Sequence, residues 1–178
     1  MILTITGDLG SGKSTVAKII SEKLKLKYYS TGSIFRKLAA EMQLSLKDLG
    51  ELAKKDKRID KRIDDYQRKL GEKEEGFILE GRLGFYFIPK SIKVYLKVKL
   101  EEAARRIMED NRKDEKFSSL KEAMESISCR KQSENERYYE LYRVNVDNEK
   151  NYDLVIDTTT IPAAEVADRI IRFAKINP

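Results

Sequence analysis

The most reactive pattern in the chain lies close to its first residue. Gly7 to Ser14 reads G-x-x-x-x-G-K-S. An apolar run, Met1 to Thr6, precedes it, and an apolar helical period through Val16, Ile19, Ile20 and Leu24 follows. Strand, glycine-rich turn and helix are the setting in which such a loop holds phosphate. Gly7, Gly10 and Gly12 let the backbone turn sharply and approach an anion. The stretch Gly7, Asp8, Leu9, Gly10, Ser11, Gly12, Lys13, Ser14 and Thr15 would turn N–H groups inward at the positive end of the helix dipole. Lys13 is a point charge for β- and γ-phosphates, and the Ser14 hydroxyl is a ligand for Mg²⁺. The loop predicts a nucleoside triphosphate and leaves the phosphoryl acceptor open.

Three further constellations bear on that acceptor. Thr31 sits just before a predicted helix start, where backbone N–H groups attract anions. Arg36 follows about a turn and a half along that helix, and its guanidinium suits a phosphate. Glu80 ends a buried apolar run, a costly place for a carboxylate unless it meets a cation, and Gly81 and Arg82 come next. Arg130, Glu134 and Arg137 fall at i, i+4 and i+7, on one helix face. Two arginines with an acid between them can bracket transferring phosphates, the acid holding both guanidiniums.

The elements that must position these groups alternate. Strands are predicted over about 1–6, 27–29, 76–80, 92–98 and 152–157. Helices are predicted over about 13–26, 34–42, 45–55, 56–70, 100–111, 119–143 and 163–174, with Gly71 ending the fourth and Pro162 opening the last. This is an α/β pattern: a five-stranded parallel sheet with helices on both faces. Two stretches break the alternation, the strandless helices between Thr31 and Gly71 and the charged connection 111–116. In a phosphoryl-transfer enzyme these are places for an acceptor-binding module and a moving lid.

Composition narrows the classes. At 178 residues one domain is expected, and a net charge of +6 suits a protein that holds several phosphates. The basic residues are interleaved with acids rather than gathered in a tail, so nucleic acid is not an expected partner. The single cysteine, Cys129, excludes an internal disulfide and fits the cytoplasm. No leader peptide is expected, because the apolar start runs straight into the phosphate loop, and no run approaches the ~18–20 apolar residues of a membrane span. With no histidine, Ser-His-Asp catalysis and histidine metal sites are excluded.

Over nearly its whole length the chain resembles the nucleoside monophosphate kinases, and among them the archaeal-type cytidylate kinases. The stretches that carry this are Gly7–Thr15, Ser30–Arg36, Leu79–Arg82 and Arg130–Tyr138, with the strand Tyr152–Thr158 behind them. The resemblance implies a P-loop kinase fold with a core of about 1–30, 76–105 and 145–178, an acceptor-binding insertion of about 31–73 and a lid region of about 106–137. It implies transfer from ATP to CMP, with dCMP as a second substrate, Mg²⁺ as cofactor and a monomer as the working unit. Thr31 would touch the acceptor, Arg36 and Arg82 would grip its phosphate, and Arg130, Glu134 and Arg137 would clamp both nucleotides. Glu80 would orient Mg²⁺ through water. Arg106 and Arg112 would join as lid arginines.

The sequence departs from bacterial relatives, which place an aspartate after the arginine of the third stretch; Leu83 stands there instead. Base readout must then come from elsewhere. Asp60, Asp64 and Gln67 are the candidates, although a solvated helix face is the simpler expectation for each. Uridylate, adenylate and shikimate kinases are the competing readings, and an RNA-associated P-loop protein is one from another class. The Asp-x-Asp expected of a shikimate kinase is missing after the second strand, and Asn148–Asn151 does not match a guanine-binding N-K-x-D.

Overall fold

A computed structural model describes residues 1–110 and 117–177. Five parallel strands form one sheet: β1 (Ile2–Gly7), β2 (Lys27–Ser30), β3 (Phe77–Glu80), β4 (Ile92–Lys97) and β5 (Leu154–Asp157), in the spatial order β2-β3-β1-β4-β5. Their alternation sorts side chains to two faces. Leu3, Ile5, Ile78, Val94, Leu96 and Ile156 pack against α1 (Lys13–Leu24) and α8 (Ala163–Ile176). On the other face Ile2, Phe77, Leu79 and Tyr29 meet Tyr66 and Leu70 of α4 (Lys57–Lys73) and Phe87 of the short α5 (Gly84–Phe87). Phe77, Leu3, Ile5 and Leu96 are fully buried, and each such side chain contributes about 1.5–3 kcal/mol.

Three helices, α2 (Thr31–Glu41), α3 (Leu46–Lys55) and α4, fill the stretch between β2 and β3. Leu38, Leu49 and Ile59 give them a small core of their own. Side chains start each one: Ser30 caps at Ser33 N, Ser45 at Asp48 N and Asp56 at Arg58 N. The predicted stop at Gly71 is corrected. The helix runs through it to Lys73, because Gly71 lies against Ile88, where a Cβ would sit 3.1 Å from its side chain. Tertiary packing here outweighs the low helix propensity of glycine.

After β4 come α6 (Leu100–Glu109) and the long α7 (Leu120–Tyr142), which share a core of Ala103, Ile107, Ala123 and Ile127. Register brings the ends of β1, β2 and β3 level, with Ile5 beside Glu80 and Ser30 beside Glu80. The phosphate loop leaves β1 between β3 and β4, the switch point at which open parallel sheets bind ligands. Among the described residues, no helix is long and apolar enough to cross a membrane.

Candidate active site

The loop after β1 has the backbone its glycines permit. Gly10 and Gly12 hold φ values of +74° and +82°. A Cβ on Gly10 would lie 2.7 Å from the Ala103 carbonyl oxygen, so the loop packs directly on α6. Gly12 precedes α1 and has no side chain to occupy that helix N-terminus. Leu9, Gly10, Ser11, Gly12, Lys13, Ser14 and Thr15 line a cavity of about 640 Å³, whereas Gly7 and Asp8 lie behind its lining.

Lys13 is folded onto its own loop, its Nζ donating to the carbonyls of Gly7 at 3.0 Å and Asp8 at 2.5 Å. Burial and then the Arg82 charge push its pKa down to about 7, against the attraction of Glu80, Asp8 and Glu134. The Ser14 hydroxyl donates to Glu80 Oε2 at 3.0 Å, and Tyr28 of β2 donates to the same oxygen at 2.8 Å. Burial raises the Glu80 carboxyl, but Lys13 and these donors outweigh it, so its pKa lies below the ordinary value. A hydroxyl and an ionised carboxylate side by side are hard oxygen donors that fit Mg²⁺. Among the described residues no three His, Cys, Asp or Glu gather as a cage.

Thr31 and Arg36 open onto the same cavity from α2. Thr31 is the first residue of that helix, not the one before it, because Ser30 takes the capping role. Its hydroxyl donates to the Glu80 carbonyl at 3.3 Å, and Gly81 lacks the Cβ that would collide with it. Arg36 donates to the Ser33 hydroxyl at 3.3 Å.

Glu134 does not hold the guanidiniums of both Arg130 and Arg137, as the spacing predicts it should. Glu134 accepts from Arg130 Nε at 2.9 Å and from Arg82 Nε at 2.8 Å. Arg82 also donates to the Gly7 carbonyl at 2.6 Å, and its Nη2 is buried without a hydrogen-bond partner among the described residues. Burial opposes ionisation of Glu134, yet Arg82 and Arg130 pull its pKa down to about 2. Arg137 is not Glu134's hydrogen-bonded partner: its Nε lies 3.1 Å from Asp60 Oδ2, an ion pair without a hydrogen bond between those atoms. The i, i+3 spacing set Arg137 near Glu134, but the inserted α4 supplied a closer acid.

Asp60, Asp64 and Gln67 overturn the solvated-face expectation, being 5%, 5% and 2% exposed. All three line the cavity. Asp64 accepts from the Tyr142 hydroxyl of α7, and Gln67 Oε1 is buried without a partner. Burial, with Asp60 adding to it, lifts the Asp64 carboxyl to about 6 despite that hydroxyl. The helix carries many charges on its outer side, and this masked its polar inner stripe.

Arg106 lines the cavity from α6 but acts as a brace. It donates to the carbonyls of Thr158 at 2.8 Å and Thr159 at 3.1 Å and pairs with Glu102 at 2.9 Å. Arg112 lies outside the described residues. Sequence reasoning missed Tyr28, Tyr142 and the apolar wall of Phe35, Leu46, Ile63 and Tyr138. A tyrosine on a strand or helix carries no mark of which carboxylate it will meet.

Two comparisons bear on this site. The family described as "Cytidylate kinase-like family" matches residues 2–160. A cytidylate kinase of Methanobrevibacter smithii is 36% identical over 176 residues, covering 99% of each chain. The chain belongs to the cytidylate kinase-like family. A second member of that family, a cytidylate kinase of Methanothrix thermoacetophila, is 40% identical over 158 residues, 89% of this chain and 88% of that one. Among solved structures, a shikimate kinase from Acinetobacter baumannii in complex with shikimate superposes with a TM-score of 0.66 at 16% identity, over 99% of this chain and 93% of that one. At that identity the likeness shows the fold, and the family match separates this chain from the shikimate enzymes.

Proposed function

We infer that this protein transfers the γ-phosphoryl group of ATP to CMP, giving ADP and CDP. The observation that carries the reading is a single cavity lined by the phosphate loop, five arginines and a buried acceptor set, Asp60, Asp64 and Gln67. The loop from Gly7 to Thr15 is the ATP phosphate site. Thr31, Arg36 and Arg82 hold the acceptor, Arg82 through its unpartnered Nη2. The insertion α2–α4 is the acceptor module, and the region of about 106–137 is the lid.

The nucleophile is a phosphate oxygen of CMP. It is ionised near neutral pH, so the site needs no general base and the chain needs no histidine. A bond forms from that oxygen to the γ-phosphorus, the bridge to the β-phosphate breaks, and ADP leaves with the bridging oxygen. Lys13, Arg130 and Arg137 present positive charge where the equatorial oxygens spread theirs. Ser14 and, through water, Glu80 would hold Mg²⁺, which when bound supplies charge neutralisation on the phosphates. The ion pairs of Arg82 and Arg130 with Glu134 hold the guanidiniums before substrate arrives.

Cytosine carries an amine where uracil carries a carbonyl. A wall of buried acceptors, of which Gln67 Oε1 has no hydrogen-bond partner among the described residues, favours the amine. Phe35, Ile63 and Tyr138 offer the apolar surface for the ring. dCMP is proposed as a second substrate. A monomer is proposed as the working unit. The reading places the protein in the cytoplasm with these soluble nucleotides.

The test is ADP release with Mg-ATP against CMP, dCMP, UMP, AMP and shikimate in parallel. The expected result is a CMP or dCMP rate at least about tenfold above the other acceptors, a gap of ~1.4 kcal/mol. Equal rates with UMP or AMP would overturn the base assignment, and no stimulation by any acceptor would overturn the kinase reading.

A further inference from the structure

Asp8 stands inside a loop built to receive a triphosphate, where a free carboxylate would oppose the ligand. The structure keeps it out of the cavity lining. Three donors hold it. Val98 N–H reaches Oδ2 at 3.1 Å, and the Tyr95 hydroxyl at 3.1 Å and the Lys131 ammonium at 2.7 Å reach Oδ1. Lys131 alone among them brings a full charge.

The ammonium is itself placed. It lies 3.3 Å from Asp147, which also accepts from Asn135 at 2.7 Å and whose Oδ1 lies 2.9 Å from the Tyr95 hydroxyl, so that Asp8 and Asp147 share that hydroxyl's one proton. Asn135 is one turn beyond Lys131 on α7, so both reach the same side. Strand β4, helix α7 and the segment before β5 thus converge on one loop carboxylate. Burial works to raise the Asp8 carboxyl, but Lys131, Val98 and Tyr95 bring it below its ordinary value, so it is ionised at neutral pH. Its charge also reaches Lys13.

We propose that Lys131 is a positioning residue that neutralises Asp8, keeping the phosphate loop receptive to a triphosphate. It rests on the loop being the ATP site and not on CMP being the acceptor. Lys131 acts through Asp8. Without the ammonium, the carboxylate competes with the β- and γ-phosphates for Lys13.

The experiment is a direct equilibrium titration of the whole protein with Mg-ATP, with steady-state kinetics and thermal melts alongside. The variants are Lys131→Met, Lys131→Arg, Asp8→Asn and the double Asp8→Asn/Lys131→Met. Lys131→Met is expected to weaken ATP about tenfold while the KM for CMP moves less than about twofold. The deficit should shrink in high salt, as a charge effect does. Lys131→Arg should keep most of the affinity. Asp8→Asn, which leaves the ammonium with Asp147 as its one acid, should tighten ATP about threefold, and the double variant should return to within about threefold of the parent.

Parental ATP affinity in Lys131→Met would overturn the proposal. So would a double variant as weak as Lys131→Met, because Lys131 would then serve to seat α7. Should Lys131→Met fail to fold, Lys131→Gln is judged by the same rescue. A parent protein that binds ATP but ignores CMP would sink the acceptor reading and leave these titrations interpretable.

Discussion

At the scale of single residues, Lys13 shows how the protein stores its phosphate-binding charge. Its ammonium is satisfied by two carbonyls of its own loop, and burial holds its pKa near 7. Bound phosphates favour the charged form, so ATP binding must carry proton uptake. The sign follows directly: Lys13 of the free protein is mostly neutral above pH 7 and must be charged in the complex. Uptake should approach about one proton at pH 8, where the γ-phosphate is already deprotonated, and ATP affinity should fall as pH rises above 7. Calorimetry at pH 8 in two buffers of different ionisation enthalpy reads this. Identical heats would contradict it. Lys13 and Ser14 are legible in the sequence because their roles depend on neighbours a few residues away. Tyr28, which meets Glu80 across two strands, is not.

At the scale of elements, α4 is the helix whose two sides differ most in meaning. Its outer charges are solvated, while Asp60, Asp64 and Gln67 are buried against the cavity. Burial holds Asp64 near pKa 6, so its hydrogen-bonding character changes in an accessible range. Above that pH it only accepts, which suits the cytosine amine. Below it, the neutral carboxyl can donate to the uracil carbonyl. The ratio of kcat/KM for CMP to that for UMP is expected to fall at least about threefold from pH 7 to pH 5. The second ionisation of the acceptor phosphate affects both substrates alike and cancels in the ratio. A flat ratio would remove Asp64 from base selection. The existence and order of α2, α3 and α4 are legible from their apolar periods and caps. The stop at Gly71 is misread because Ile88, from another element, wants a residue without a side chain there.

For the whole molecule, Glu134 joins three parts. It ties α7 to Arg82 after β3, and Arg82 ties onward to the Gly7 carbonyl at the end of β1. The carboxylate is 15% exposed, so removing its charge leaves a buried cation uncompensated. Glu134→Gln is expected to cost about 3 kcal/mol in urea unfolding at pH 7. Its folded pKa of about 2 lies below the ordinary value of 4.5. The stabilisation is therefore complete above the ordinary value and is lost as pH falls through the folded one. The deficit of Glu134→Gln should accordingly be smaller at pH 3 than at pH 7. An equal deficit at both would show that shape rather than charge does the joining.

Short-range pattern in the chain specifies the phosphate loop, the alternation that makes a parallel sheet, the strandless insertion, and three residues at one helix face. Those follow from backbone geometry and from spacing within a turn or a strand. Only the tertiary structure decided how charges pair. Glu134 takes Arg82 from 52 residues away, Asp60 takes Arg137, and Asp8 takes Lys131 across 123 residues. Such pairings depend on which elements the sheet order brings together. A buried charge then accepts the nearest partner in space, whatever its distance along the chain.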